Sequence, residues 1–587
     1  MNTPTKTIAI IGCGPRGISA LENLILALSN TDFKTLPKIM IFEKSSQLGC
    51  GSIYNLNQPD TNWLNISERA LTIDKRLSVK IKNTDIKGFM SYHDWTGKSQ
   101  DAIFNNKHEV FPKRSDVGKY LKARYDSIAQ DLQKLDLLTV YNSEVIEVKN
   151  NNPCFTITVA NGSNYNADEV VLTIGHQETE SSQQLKDWTN YAKKNNTVNL
   201  FLKSYPIKNL LTTDYKNEAH TVGLRGFGLA TIDVVRALTK ANDGHFEIID
   251  TETHKMKYNP GKSPLKLIPF SLDGLPMASK PLNSKIDALF TPSEAKILSF
   301  KSELLQIRDN KNYNKGNTFL IEAIATIVAS QYLELGNHAY QHNLSVEELK
   351  AITEAYLKDD SFKHQLLLSH DNAPEVIIQV YVDMACAKQP VSLDYCLGQV
   401  WRHCEPTLYA MMSHSALQEH IINKVIALDE RMKRYAFGPP IESLQQLLAL
   451  TYQGTLDLNF VNDPEINLTD NGWQLQKHNQ KITVDTMINA VLDSPKIEKV
   501  ISPIVTNLLS DNLIQAIHSK LGVDTKQNGL VISKNKKQTL NLAVLGRLAK
   551  GSVVGVDAIL ECFGPRIKDW ANDLVERMRI DYPSHNN

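Results

Sequence analysis

The chain has 587 residues, of which 42% are hydrophobic and 22% are charged, a composition typical of a globular protein with a sizeable core. Its 64 Lys and Arg residues balance 64 Asp and Glu residues, which argues against a broad basic surface for nucleic acid or anionic membranes. No apolar run approaches the ~20 residues of a membrane-spanning helix. The N-terminal segment 1–11 does not resemble a signal peptide, so we predict a cytoplasmic protein.

The seven cysteines are scattered along the chain and form no C-x-x-C pair. A dithiol redox centre is therefore not expected. Cys396, His403 and Cys404 lie close in sequence but lack a recurrent zinc spacing, so we predict no metal site.

The first candidate site begins at the N-terminus. Thr7 to Ile11 is an apolar, β-branched run typical of a buried parallel strand. Gly12-Cys13-Gly14-Pro15-Arg16-Gly17 follows, and residues 18–24 have helical apolar spacing. This is the strand, glycine turn and helix order of a dinucleotide site, in which the helix N-terminus binds the pyrophosphate.

A second strand, residues 38–42, ends at Glu43. A carboxylate at this position accepts hydrogen bonds from the ribose hydroxyls and repels a 2′-phosphate, which favours FAD or NAD over NADP. Asn65 follows two apolar residues, Trp63 and Leu64. It is either a flavin contact or a turn residue. Two later strands end in glycine, at Gly175 and Gly546, near the expected cofactor. Further residues assigned to this site are Pro15, Arg16, Lys44, Gly51 and Val145.

A weaker copy of the glycine fingerprint occurs at Gly226 and Gly228, where Thr231 replaces the third glycine and a helical pattern follows. We predict that it binds NAD(P)H. Asp250 ends a strand 24 residues after Gly226, the spacing of a ribose-binding acid. Residues 265–271 are the alternative core strand, and they offer no arginine for a 2′-phosphate. Both alternatives favour NADH.

An internal repeat supports two related folds. Residues 144–172 show a β meander followed by a strand that begins with Asp168, and residues 456–491 repeat this pattern with Asp485. Residues 284–450 have instead the periodicity of helices, with a capping box beginning at Ser345. We interpret this segment as an insertion that covers the active site, or equally as a scaffold or dimer surface.

The predicted fold is therefore α/β, with two dinucleotide-binding, Rossmann-like domains and an α-helical insertion. The predicted divisions are an FAD domain (1–195, completed by 501–587), an NAD(P) domain (196–283, completed by 451–500) and the insertion (284–450).

The motifs resemble the bacterial FAD/NAD(P)-binding family that includes the FAD-dependent urate hydroxylase and the aspartate N-monooxygenase that makes nitrosuccinate. The resemblance spans nearly the whole chain. Where that family often has an arginine near a Gly-x-Pro, this chain has residues 271–276, Ser-Leu-Asp-Gly-Leu-Pro. The segments that carry the resemblance are Gly12–Gly17, 48–51, 58–59 with 64–65, 111–114 before 118–121, 173–176, 226–233 and 437–440.

The resemblance implies an oxidoreductase in which NAD(P)H reduces FAD and the reduced flavin captures O2 as a C4a-hydroperoxide. The expected substrate is a small nitrogen-containing metabolite, an amino acid or a purine. No side-chain nucleophile is required, because the cofactor carries the chemistry, so we name no catalytic residue. The alternatives are a flavin-dependent reductase with another acceptor, or a nucleotide-binding regulator without catalysis.

Overall fold

The computed structural model describes residues 5–492, 496–517, 521–534 and 540–581, so residues 1–4 of the segment compared with a signal peptide lie outside it. The strands, numbered in chain order, are β1 (Thr7–Ile11), β2 (Lys38–Phe42), β3 (Val79–Ile81), β4 (Thr84–Ile86), β5 (Leu138–Tyr141), β6 (Val145–Asn150), β7 (Phe155–Val159), β8 (Asn164–Ala167), β9 (Glu169–Leu172), β10 (Asn199–Phe201), β11 (His220–Arg225), β12 (His245–Asp250), β13 (Lys255–Asn259), β14 (Leu265–Phe270), β15 (Glu465–Thr469), β16 (Gly472–Lys477), β17 (Gln480–Val484), β18 (Thr486–Asn489) and β19 (Leu542–Val544).

The helices are α1 (Pro15–Ser29), α2 (Tyr92–Thr96), α3 (Gln100–Phe104), α4 (Arg114–Lys134), α5 (Gln183–Lys194), α6 (Leu229–Ala241), α7 (Ser284–Ala288), α8 (Glu294–Arg308), α9 (Thr318–Glu334), α10 (Val346–Lys358), α11 (Pro374–Ala385), α12 (Leu393–Met412), α13 (Glu419–Ala436), α14 (Ile441–Tyr452), α15 (Pro503–Ser510) and α16 (Pro565–Asp581). Over the described ranges, none of these helices has the length and apolar character needed to cross a membrane.

The first sheet is parallel and has the strand order β19-β9-β1-β2-β5. Alternate residues of β1 point to opposite faces. Ile8 and Ile10 pack with α1 and α16, whereas Ala9 and Ile11 pack with the meander β6-β7-β8 and α15. Because both faces are covered, the strand is apolar throughout, and the C-terminal residues of the chain complete this fold.

The second sheet is also parallel and has the order β10-β18-β11-β14. Val222 and Leu224 of β11 face α6 and the helical segment, whereas Ile268 and Phe270 of β14 pack on the meander β15-β16-β17. The predicted α/β class with two dinucleotide-binding folds is confirmed.

Each fold has an aspartate at the same position, and this aspartate binds the backbone at the start of the central strand. In the first fold, Oδ2 of Asp168 accepts a hydrogen bond of 2.8 Å from the backbone N–H of Thr7. In the second fold, Oδ2 of Asp485 accepts a hydrogen bond of 2.8 Å from the N–H of Thr221. Each aspartate lies just before the strand that pairs with the central strand of its sheet, so the predicted repeat is present in three dimensions.

Helices α7 to α14 form the segment between β14 and β15, as the periodicity of the sequence predicts. The capping box at Ser345 and Glu348 is present at the start of α10. Two local predictions were wrong. Residues 456–460 lie beside β14 through an isolated bridge at Leu456 rather than in the meander, whose first strand is β15. The second concerns Asp250 and is described with the second glycine loop.

Candidate functional site: two glycine loops at the carboxyl ends of parallel sheets

The first glycine loop connects β1 to α1 and leaves no room for side chains at its ends. Gly12 has φ +93°, and an added Cβ would lie 2.9 Å from the carbonyl oxygen of Thr173. A Cβ on Gly17 would lie 2.4 Å from the carbonyl oxygen of Gly12. The Thr173 hydroxyl donates a 2.6 Å hydrogen bond to that Gly12 oxygen. The loop is therefore held by packing and by the threonine that begins the segment 173–176.

Gly14 differs from its neighbours because the protein itself leaves room for a side chain there. An added Cβ would approach only the Cα of Gly51, at 3.8 Å. Gly14 is the N-cap of α1 and has φ −82°, a value that any residue adopts. Pro15 at the first helical position has no N–H to offer. The N–H groups of the next residues and the positive end of the helix dipole remain available for an anion.

Glu43 lies buried at the carboxyl end of β2. One carboxylate oxygen accepts a 2.8 Å hydrogen bond from the N–H of Cys13, and the other accepts bonds from the N–H and hydroxyl of Ser45. A carboxylate has about four lone-pair positions, so these contacts orient Glu43 and still allow a further donor such as a ribose hydroxyl. The Lys44–Glu144 ion pair (3.3 Å) brings Val145, at the start of β6, to the same edge.

The other predicted residues of the first site also lie at this edge of the sheet. Gly175 has φ +66°, with no atom within 4 Å of an added Cβ, so the chain leaves open space beside it. Gly546 has φ +106° and packs against the guanidinium of Arg16, which donates a hydrogen bond of 3.5 Å to the carbonyl of Val556. The site therefore combines an arginine, a helix N-terminus, a carboxylate and exposed glycine backbone. The arginine and the helix N-terminus suit the pyrophosphate of FAD, and the carboxylate suits its ribose.

The second glycine loop repeats this geometry with one change. Gly226 has φ +124° and lies against Ala490, which follows β18. Gly228 is the N-cap of α6, and no atom lies within 4 Å of an added Cβ. At the position of the third glycine, the buried hydroxyl of Thr231 donates a 2.8 Å bond to the carbonyl of Gly226. The substitution by threonine is therefore accommodated by a hydrogen bond that closes the loop.

Asp250 is not at the end of a strand of the parallel sheet. It ends β12, which forms a two-stranded antiparallel hairpin with β13, and its carboxylate accepts hydrogen bonds from the N–H of Glu252 and the hydroxyl of Thr253. β11 pairs with β14, so of the two candidate core strands, residues 265–271 form the strand of the sheet and the strand that ends at Asp250 does not. β14 leads instead to Asp273, which pairs with Arg434 of α13.

Asn65 lies where the first fold, the second fold and the helical segment meet. Its side-chain amide donates a 3.2 Å hydrogen bond to the carbonyl of Phe437. Its own carbonyl accepts a hydrogen bond from the ammonium of Lys280. Burial, with Arg402 nearby, lowers the pKa of Lys280 to about 7. Sequence reasoning missed this lysine, because a single lysine in a loop carries no motif.

A buried acid lies near Lys280. Glu405 of α12 is 8% exposed, and its Oε1 has no hydrogen-bond partner among the described residues. Burial and the neighbouring Asp429 raise the pKa of Glu405 to about 8. Asp429 accepts longer bonds of 3.3 and 3.4 Å from Tyr409 and Trp401. The two acids thus form a site that favours a bound proton at neutral pH.

We expect Glu405→Gln to remove a pH dependence of stability. Folded Glu405 holds its proton up to about pH 8, whereas the unfolded side chain releases it near pH 4.3. Its contribution to stability is therefore complete at acid pH and is lost as the pH rises toward 8. The slope is on the order of 1.4 kcal/mol per pH unit at most. Relative to wild type, the variant should gain stability between pH 5.5 and 7.5, measured by urea unfolding.

The matched control for this experiment is Glu347→Gln, a change at an exposed position in the first turn of α10. Its urea midpoints should follow those of wild type at both pH values. Equal pH slopes for wild type and Glu405→Gln would contradict the assignment of a raised pKa to Glu405.

Comparison with known proteins agrees with this geometry. Residues 9–177 match a family model described as FAD-NAD(P)-binding. A nitrosuccinic acid synthase of Aspergillus oryzae is 22% identical over 554 residues, which cover 86% of this chain and 82% of that protein. An L-aspartate N-monooxygenase (nitrosuccinate-forming) of Streptomyces cremeus is 22% identical over 317 residues, 50% of this chain and 46% of that protein.

Two solved structures are also similar over most of the chain. The FAD-bound OTEMO structure has a TM-score of 0.44 at 11% identity and covers 99% of this chain and 86% of that one. A steroid monooxygenase bound to NADP has a TM-score of 0.43 at 11% identity and covers 98% and 87%.

The N-terminal fold is thus an FAD/NAD(P)-binding domain. The chain is similar to oxidoreductases, namely a nitrosuccinic acid synthase and a nitrosuccinate-forming L-aspartate N-monooxygenase. The resemblance recognised in the sequence, and the FAD and NAD(P)H that it implies, are confirmed at this level.

Proposed function

We propose that this chain is an FAD-dependent monooxygenase that uses NAD(P)H and O2 to hydroxylate the amino nitrogen of a small amino acid, with aspartate as the first candidate. The observation that carries the proposal is the match to the nitrosuccinic acid synthase, which extends over 86% of the chain.

Each of the two glycine loops binds one cofactor. The loop from Gly12 to Gly17, with Glu43 and Arg16, binds FAD through its phosphates and ribose. The loop at Gly226 and Gly228 binds NAD(P)H in the same way. FAD, when bound, supplies the redox chemistry: it accepts a hydride from NAD(P)H and delivers two electrons to O2.

The overall reaction balances in atoms and electrons. NAD(P)H loses a hydride and becomes NAD(P)+. One atom of O2 is inserted into an N–H bond of the substrate, which gives a hydroxylamine. The other atom leaves as water, with two electrons and one hydrogen from NAD(P)H and one proton from solvent. No other oxidant or reductant is required.

The helical segment supplies the cover that such a reaction needs. Helix α13 and the loop before it contact the C-terminal turns of the first fold: the N–H of His414 donates a 2.8 Å hydrogen bond to the carbonyl of Ser552, and Lys433 pairs with Asp557 at 2.9 Å. Excluding water protects reactive oxygen species from unproductive decay. Because the helical segment contacts both folds, we favour a role in covering the active site over a role as a remote dimer surface.

We assign to Lys280 the role of binding the carboxylate of the substrate. Its ammonium lies at the junction of the three parts of the chain and bonds the backbone carbonyl of Asn65. An ammonium has three donors, so others remain for a ligand. A carboxylate beside the ammonium would also favour its charged form, which burial opposes.

We expect Lys280→Met to raise the KM for the amino acid by about 10- to 150-fold, the equivalent of one charge-assisted hydrogen bond of about 1.5–3 kcal/mol. Reduction of FAD by NAD(P)H without substrate should stay within about twofold of wild type. Steady-state oxygen uptake measures the KM for the amino acid, and anaerobic stopped-flow absorbance measures the rate of FAD reduction. Lys388→Met, at an exposed pair with Glu252, is the control. An unchanged KM would contradict the assignment.

The proposed function is tested with purified, FAD-loaded protein. Anaerobic NADH or NADPH should bleach the flavin, and air with aspartate should then give an N-oxidised product that mass spectrometry detects. Release of peroxide alone, across aspartate, other amino acids and urate, would indicate a reductase or oxidase. A flavin that neither nicotinamide reduces would indicate a nucleotide-binding regulator.

A further inference from the structure

Two charged residues from separate sequence motifs meet in a buried contact between the folds. Arg114 begins α4 in the first fold, and Asp233 lies in α6 of the second fold. Nη2 of Arg114 lies 3.0 Å from Oδ2 of Asp233, and the two side chains are 18% and 4% exposed. Neither residue belongs to a glycine loop, so nucleotide binding by the loops does not account for them.

Further contacts fix this pair on both sides. Nε of Arg114 donates a 3.2 Å bond to the carbonyl of Trp63 in the first fold. In the second fold, the hydroxyl of Tyr205 donates a 2.6 Å bond to the same oxygen of Asp233, and its ring lies 5.3 Å from the Arg114 guanidinium. Arg236 lies 4.0 Å over the Trp63 ring and bonds Gln446 of α14 at 2.6 Å.

The location of this cluster connects the two candidate cofactor sites. Asp233 lies five residues after Gly228, within the first turns of the helix whose N-terminus forms the second site. Trp63 lies two residues before Asn65, at the junction with Lys280. A shift of either element at the cluster therefore changes the position of one site relative to the other.

We propose that the Arg114–Asp233 pair, supported by Tyr205, Trp63 and Arg236, is a positioning device that sets α6 against the first fold, so that NAD(P)H held at Gly228 reaches FAD held at Gly14. The inference rests on the proposed use of the two cofactors. Arg114 and Asp233 are positioning residues, because they act through the helix and the loop that they orient. Hydride transfer is sensitive to such placement: an error of about 1 Å costs about 100-fold in rate.

The central test uses Asp233→Asn in the FAD-loaded enzyme. Asparagine keeps the shape and an acceptor for Arg114 and Tyr205, but it removes the charge that balances two buried arginines. We expect anaerobic reduction by saturating NADH or NADPH to slow about 10- to 100-fold. Reduction by dithionite, which needs no docking site, should be unchanged, as should the Kd for FAD. Arg114→Met and Tyr205→Phe provide second variants if Asp233→Asn does not fold.

The control is Asp116→Asn, which removes an exposed pair with Lys119 on the same helix α4 and should leave all rates as in wild type. A rate with NAD(P)H equal to wild type in Asp233→Asn and Arg114→Met overturns the inference. A lower melting temperature without a change in that rate also overturns it, since that result describes a merely structural pair. If wild-type protein binds no FAD or is not reduced by either nicotinamide, the proposed function fails instead.

Discussion

Gly14→Val should weaken FAD binding about 5- to 150-fold while the protein still folds. The apo chain tolerates a side chain here, because the nearest atom to an added Cβ is the Gly51 Cα at 3.8 Å and the backbone φ of −82° suits valine. The added methyl groups would instead occupy the space through which a pyrophosphate approaches α1. Overpacking of this kind costs about 1–3 kcal/mol, or about 5- to 150-fold in the Kd for FAD, measured by flavin fluorescence on titration.

The control separates ligand exclusion from damage to the loop. In Gly17→Ala, the new Cβ would lie 2.4 Å from the carbonyl of Gly12, so this variant should lose thermal stability in the apo form. Gly14→Val should unfold within a few degrees of wild type when both lack FAD. Full FAD occupancy in purified Gly14→Val would show that the site lies elsewhere.

Gly228→Val should have the complementary effect at the second site. Since no atom lies within 4 Å of an added Cβ and φ is −111°, the fold accepts the change. The side chain would meet the pyrophosphate of NAD(P)H at the N-terminus of α6. We expect FAD to stay bound and kcat/KM for NAD(P)H to fall about 5- to 150-fold, as a clash of about 1–3 kcal/mol implies.

The two valine variants serve as controls for each other. The flavin content measures the effect of Gly14→Val, and the rate of flavin reduction at full flavin content measures the effect of Gly228→Val. Each variant therefore tests one site without changing the measurement for the other. If Gly228→Val is reduced at the wild-type rate by low concentrations of both nicotinamides, then NAD(P)H does not bind at this loop. The same titration with NADH and NADPH measures the preference for NADH that the sequence favours.

Local patterns in the sequence predicted the two folds well. β1 is apolar at every position because both of its faces are buried, and such runs are visible without a structure. Glycines at Gly12 and Gly226 have positive φ, a requirement that leaves a clear trace in sequence. The aspartates at 168 and 485 mark the repeat because each accepts a hydrogen bond from a backbone N–H at the start of a neighbouring strand.

Contacts between distant segments decided the rest. The acid after the second glycine loop was placed on β12 from its spacing, but spacing along the chain does not reveal that β12 and β13 leave the sheet as a hairpin and that β14 pairs with β11. Likewise, Lys280 and Asn65 are 215 residues apart and meet only because the two folds and the helices pack together.

The sequence by itself therefore determined the fold class, the two glycine loops and the cofactor class, because each depends on residues that are neighbours along one strand, turn and helix. The tertiary structure alone decided which strand follows β11 in the sheet, how Thr231 replaces a glycine, and that Arg114 contacts Asp233 across the interface. These features depend on the packing of segments that are separate in the chain or on the exact path of a loop, and neither leaves a periodic pattern in the chain.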